Sequence, residues 1–277
     1  MSRKSLAITR RRFLESASMA VPLAMLHAHP LAVAGEQSPS SPKSEQAVEH
    51  SIAKLRLLGR KLEEQRQFYS EVLGLPITQD SAHEITVQAG QSKITFADEK
   101  PEYQNPFYHF CFLIPENKLE SARLWLSKRW PVITVNGQQV IHFRSSNAHS
   151  IYFLDPAGNI GEFIAHHDLK NARPGDFTTD DILHVNEIGV VVDDVFKTVL
   201  AMKDRMGINP YIPASNEFAA VGTREGSFIV VKKDRLWFPE RKSPAIVCPT
   251  VATIRASQQA DVLIQGCPYD LSVGPAA

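Results

Sequence analysis

The stretch from His149 to His166, H-S-I-Y-F-L-D-P-A-G-N-I-G-E-F-I-A-H, constrains this chain more than any other. Ile151, Tyr152, Phe153 and Leu154 are apolar, β-branched or aromatic and predict a strand. Asp155-Pro156-Ala157-Gly158 then fits a type I turn, with Asp at the first position, Pro fixing φ at the second and Gly at the fourth. A second strand follows. Its alternation puts Ile160, Glu162 and Ile164 on one face and Gly161, Phe163 and Ala165 on the other. A carboxylate flanked by two isoleucines faces a buried environment, where an unpaired charge is costly. Glu162 therefore needs a metal, a cation, a proton or access to water.

Two segments carry a family resemblance. Y-F-L-D-P-A-G-N-I-G-E-F-I, residues 152–164, closely resembles the end of the second βαβββ motif in the vicinal oxygen chelate superfamily. That group includes glyoxalase I, bleomycin-resistance proteins, extradiol ring-cleaving dioxygenases and methylmalonyl-CoA epimerase. Phe68-Tyr69-Ser70-Glu71-Val72-Leu73-Gly74-Leu75 resembles the first-motif helix end, F-Y-x-x-V-L-G-L. The likeness covers Ile52 to His166 and, more weakly, Ile182 to Lys232. It implies an α+β fold of repeated βαβββ motifs, with one paired half-open barrel plus a third partial motif. It names no reaction.

The chain divides accordingly. Thr9-Arg10-Arg11-Arg12-Phe13-Leu14 resembles a twin-arginine export signal, a modestly apolar run follows from Ala17 to Leu26, and Ala32-Val33-Ala34 supplies a small-residue cleavage site. Residues 1–34 are thus expected to be a removed signal peptide rather than a membrane anchor, and the mature protein is expected in the periplasm or outside the cell. Residues 35–50, rich in Ser, Pro, Glu and Gln, predict a flexible linker. Residues 51–168 hold two βαβββ motifs expected to face each other across a concave pocket, and 180–277 a third motif with a C-terminal extension. That third motif needs a cover for its sheet: the tail, the first barrel or, in a homodimer, a second copy.

Local signals place the elements. Leu62 to Leu73 is expected to form a helix closed by Gly74, and Val195, Val199, Met202 and Met206 lie at helical spacing ahead of Gly207, with Asp193 or Asp194 as cap. Asn117 with Glu120 resembles a capping box for another helix. Strands are expected near Val132–Val135 and Val140–Arg144, and Gly222 to Gly226 is expected to turn a hairpin. Lys54 lies 20 residues before Gly74 and Asn186 lies 21 before Gly207, a spacing that supports an internal repeat.

The charge balance excludes two partner classes. Lys and Arg number 30 and Asp and Glu 30; residues 1–34 hold five of the former and one of the latter, so the mature chain is formally −4. It offers no basic footprint for nucleic acid or anionic lipid. Cys111 sits in the apolar run Phe110 to Leu113 and reads as an inert buried thiol, while the expected oxidising compartment leaves a Cys248–Cys267 disulfide open. There is no C-x-x-C, G-x-S-x-G, phosphate-cradling glycine loop or H-E-x-x-H.

In metal-dependent members of the superfamily the ligands lie on first and last strands of two units, facing the pocket. Matched position by position, the second unit supplies His109 and Glu162. The first unit offers Lys54 and the run Ile94 to Ala97, which hold neither imidazole nor carboxylate. His109 on an apolar strand reads equally as a core residue or a ligand. Lys54 and Tyr152 are candidates to line the substrate pocket. On the third unit's first strand, His184 and Asn186 share one face and Glu187 takes the other. The resemblance implies a glyoxalase- or dioxygenase-like enzyme binding a small oxygen-bearing organic substrate through a divalent metal (Fe, Mn, Zn or Ni). His109 and Glu162 would be the ligands, or Glu162 would instead act catalytically by exchanging a proton. The alternative is a metal-free binding protein of the bleomycin-resistance type, motivated by the missing first-unit ligands.

Overall fold

A computed structural model describes residues 50–98, 102, 103 and 105–275. The expected export signal and the linker up to residue 49 lie outside the described residues. The rest is α+β. Fourteen strands join one hydrogen-bonded network, and a few short helices pack against it.

One pairing pattern recurs four times. β1 (Ile52–Gly59) leads through the helix α1 (Leu62–Gln67) and a π-helical turn to β2 (Ile77–Asp80), β3 (Glu84–Ala89) and β4 (Ser92–Asp98), and β4 returns parallel to β1. β5 (His109–Leu113), α2 (Leu119–Ser127), β6 (Ile141–Phe143), β7 (Ala148–Leu154) and β8 (Ile160–His166) repeat it, with β8 parallel to β5. β9 (His184–Val192), α3 (Val195–Met206), β10 (Phe218–Gly222) and β11 (Ser227–Lys232) form a third unit, with β11 parallel to β9. A helixless fourth unit is β12 (Thr250–Arg255), β13 (Ala260–Val262) and β14 (Tyr269–Gly274), with β14 parallel to β12.

The half-open barrel has a different second wall from the one expected. β5 bonds along its other edge to β9, so the second unit faces the third. β1 bonds to β12, so the first unit faces the fourth, and β1 pairs with β9 through the single register pair Ile52 and Val185. The cause lies in β5 and β9 themselves. Both are buried at every residue, so their backbone groups must be paired on both edges without water. The C-terminal segment, whose strands are barely marked in sequence, satisfies the open edge of β1.

The alternation read from β8 holds. Phe163 and Ala165 enter the main core with Phe110, Phe112 and Phe153, while Ile160 and Ile164 pack in smaller clusters on the opposite side with Glu162. The turn before β8 closes by Gly158 N–H donating to the Asp155 carbonyl at 2.9 Å. The Asp155 carboxylate, buried, accepts from Gln65, Tyr69, the Asn159 amide and the Asn159 backbone, each at 2.9 Å. It thereby ties the first unit's helix to the second unit's hairpin.

Two local expectations shift and a third holds. Asn117 does not cap α2, because its amide is drawn to the later loop: Nδ2 donates to the Arg173 carbonyl at 2.9 Å and Oδ1 accepts from Arg173 N–H at 3.1 Å. Val132–Val135 forms no strand, only an isolated bridge from Val135 to Gln138. α3 is capped by Asp194, which accepts from Lys197 N–H at 3.0 Å, and ends at Gly207 in the left-handed region. All three cysteines are free thiols.

Candidate metal centre

Strand register brings the donors together. Cys111 on β5 lies in register with Glu162 on β8 and, on its other edge, with Glu187 on β9. Register partners share a face, and His109, two residues before Cys111, shares it too. His109 Nε2 lies 3.5 Å from Glu162 Oε2 and 3.9 Å from Glu187 Oε2. One donor atom from each residue lies within 4.8 Å of the others. All three side chains are buried: His109 is 6% exposed, Glu162 2% and Glu187 7%.

Glu187 is the residue that sequence reasoning put on the wrong face. β9 carries a bulge: the partners run Phe110 with Ile188, Cys111 with Glu187, then Phe112 with Val185, so Asn186 has no counterpart. One extra residue resets the two-residue alternation and turns Glu187 to the side that strict counting from His184 denies it. The sequence held one hint. Lys54 lies 20 residues before Gly74, and the same interval counted back from Gly207 lands on Glu187. His184 and Asn186 are engaged elsewhere: His184 Nε2 donates to the Glu225 carbonyl at 2.9 Å, and Asn186 Nδ2 donates to the Arg224 carbonyl at 2.6 Å.

These donors open onto a cavity of about 340 Å³, a size that accommodates a single small molecule. Tyr152, in register with Glu162, lines it. Lys54 does not. It is exposed on β1, in register with Thr253 and Lys93, because β1 belongs to the other pair of units. The roof comes from the loop after β11, which in sequence reads only as Pro- and charge-rich. Trp237 from this loop lies 5.2 Å from the His109 ring, centroid to centroid. Gly189 on β9 permits that approach, since a Cβ there would sit 2.6 Å from the indole.

The electrostatics follow from crowding. Burial, then the charge of Glu187, pushes the Glu162 carboxyl up to about 7, against the pull of His109, Ser150 and Tyr152. For His109, burial alone would lower the pKa, but the close approach of Glu187 and the charges of both acids outweigh it, and the imidazole is raised. Burial and the same two carboxylates push the Cys111 thiol well up, so it stays inert. Two buried acids with one imidazole leave a local deficit of positive charge.

Donor chemistry and spacing fit a divalent ion. Two ligands bound at about 2.1 Å to one ion stand roughly 3 to 3.5 Å apart, close to the 3.5 and 3.9 Å that separate His109 from the two acids. One imidazole and two carboxylates suit Fe, Mn, Zn or Ni better than a thiophilic ion.

No protein-family model matches the chain, and no curated protein matches it. Among solved structures, a candidate dioxygenase from Bacillus subtilis aligns with a TM-score of 0.52 at 13% identity, over 83% of this chain and 86% of its own. A mutant of glyoxalase I from Zea mays aligns at TM-score 0.48 and 10% identity, over 80% of this chain and 91% of its own. Lactoylglutathione lyase from Agrobacterium tumefaciens aligns at TM-score 0.35 and 19% identity, over 41% of this chain and 92% of its own. At such identities likeness speaks for fold alone, and only the first is close enough in shape to count. With its strand pairing and two-walled cavity, the chain has the fold of the vicinal oxygen chelate superfamily.

Proposed function

We propose that this chain is an exported, metal-dependent enzyme of glyoxalase or dioxygenase type acting on a small oxygen-bearing organic substrate. One observation carries the reading: His109, Glu162 and Glu187 converge within 4.8 Å at the buried floor of a cavity. His109 Nε2 and one oxygen from each acid would hold the ion, and three protein donors leave positions for two adjacent substrate oxygens. Such an ion supplies Lewis-acid polarisation or dioxygen activation. The chain's residues do the rest. Glu162, deprotonated once the ion binds, is placed to take a proton from the substrate. Tyr152 stands beside it, and Trp237 excludes water from above. The metal-free alternative drew on the want of a third donor, and Glu187 supplies one. Export rests on the twin-arginine pattern at Thr9 to Leu14.

The test is metal analysis of the purified protein after stripping with EDTA and reconstitution with Fe, Mn, Zn or Ni. One ion per chain is expected, with loss in His109→Ala and Glu187→Gln. No near-stoichiometric ion, together with no thermal shift from any of the four salts, removes the proposal. Dioxygen uptake by the loaded protein with a catechol probe separates ring opening from lyase or isomerase chemistry.

A further inference from the structure

The cavity runs from a buried, acid-lined floor to a mouth of opposite charge. Arg235 and Arg241, from the loop after β11, line the same space as His109, Glu162 and Glu187. Arg235 is half-buried and Arg241 exposed. The Arg235 guanidinium lies 5.5 Å from the centre of the Phe218 ring, which holds it at the rim. Neither guanidinium makes an ion pair or side-chain hydrogen bond among the described residues. The acids nearby do not neutralise them: Glu217 acts on Arg235 only through space, and Glu240 is held by Lys242 at 2.6 Å. Burial and then the charge of Arg241 lower the Arg235 pKa, as expected for two like charges at close quarters.

Between floor and mouth the walls are aromatic: Phe143, Tyr152, Tyr211 and Phe238 join Trp237 and Phe218. The Trp237 indole N–H is buried and lacks an acceptor among the described residues. Paired guanidiniums without carboxylate partners, at the open end of an aromatic slot, suit a planar anion.

We infer that Arg235 and Arg241 form an anion-binding mouth, so that the substrate is a small organic acid. Adjacent oxygens would meet the ion that the buried donors would hold, a ring-sized apolar middle would lie between the aromatic walls, and a carboxylate would face the two guanidiniums. This deepens the metal-chelate reading of the floor and rests on it.

The test compares two probes of similar size, 3,4-dihydroxybenzoate and the neutral 3,4-dihydroxybenzyl alcohol, by titration calorimetry. The purified protein is used both manganese-loaded and EDTA-stripped. The benzoate is expected to bind the wild type at least about tenfold more tightly. Arg235→Gln combined with Arg241→Gln brings that ratio towards one and leaves affinity for the alcohol in place. The matching double substitution to Lys keeps both charges and more of the ratio. A wild-type ratio near one, a ratio unchanged in the Gln protein, equal loss in the Lys and Gln proteins, or no binding of either probe at millimolar concentration overturns the inference. Metal content is read on the same samples. Failure of the metal reading thus shows as absent manganese and EDTA-indifferent binding of the alcohol, whereas failure of the arginines shows only in the probe ratio.

Discussion

Replacing Glu162 by Gln should make the metal-free protein more stable at alkaline pH. In the folded chain the Glu162 carboxyl sits at about 7 against an ordinary 4.5, because burial and Glu187 oppose its charge. The folded state therefore holds this proton more tightly than the unfolded state. Its stabilising contribution is complete below pH 4.5 and is lost as pH rises towards 7. At about 1.4 kcal/mol per pKa unit the full loss is on the order of 3 kcal/mol, of which about 2.5 falls between about pH 5 and pH 8. His109, also raised, gives up stability in the same direction as pH climbs past 6.5. Urea denaturation in EDTA at both pH values, on wild type and Glu162→Gln, measures the effect, and subtracting one protein from the other cancels the remaining acids. The variant's lead over the wild type should grow by about 2.5 kcal/mol from the lower pH to the higher. Manganese should reverse the order there, because the ion stabilises only the protein that keeps its ligand. A wild type whose stability is level across this range, or a variant that keeps the wild-type slope, would show that the acid is not buried beside a second charge.

Other substitutions probe the remaining geometry. Glu187→Gln should weaken metal binding by at least about a hundredfold, since losses from residues behind the ligands alone reach 10- to 100-fold; equilibrium dialysis with manganese reads it. Asp155→Ala orphans the buried donors of Gln65, Tyr69 and Asn159 and should cost about 3 to 5 kcal/mol in urea denaturation, while metal affinity in the folded protein stays unchanged. Lys54→Ala, at an exposed position on β1, should move stability by no more than about 0.5 kcal/mol and leave manganese affinity alone.

The sequence made one half of the site legible and concealed the other for a definable reason. Glu162 stood out because β8 alternates strictly, so a single acid between Ile160 and Ile164 could only face a buried space. His109 followed from its match to a ligand position of the resembled superfamily, since an apolar strand by itself speaks for a core residue. Glu187 was hidden by one inserted residue: the bulge at Asn186 exists only because β5 lies alongside, and no periodicity within β9 encodes it. The same limit applies to pairing. Gly74, Gly207 and the Gly222–Gly226 turn mark where elements end, and they were readable one element at a time. Which unit faces which depends on edges far apart in sequence, and β1 chose a strand nearly 200 residues away.

That long-range pairing also decides what an ion would do for the fold. His109 and Glu162 belong to the second unit and Glu187 to the third, so the site lies on the seam between β5 and β9. Without an ion the seam holds two buried carboxylates served by one imidazole, and Glu162 answers by keeping its proton near neutrality. An ion would take the proton's place and bind both strands at once, turning mutual repulsion into a cross-link. The arrangement that makes the floor of the cavity reactive is therefore also the one that makes the seam costly without an ion, and the two cannot be separated by substitution at Glu162 or Glu187.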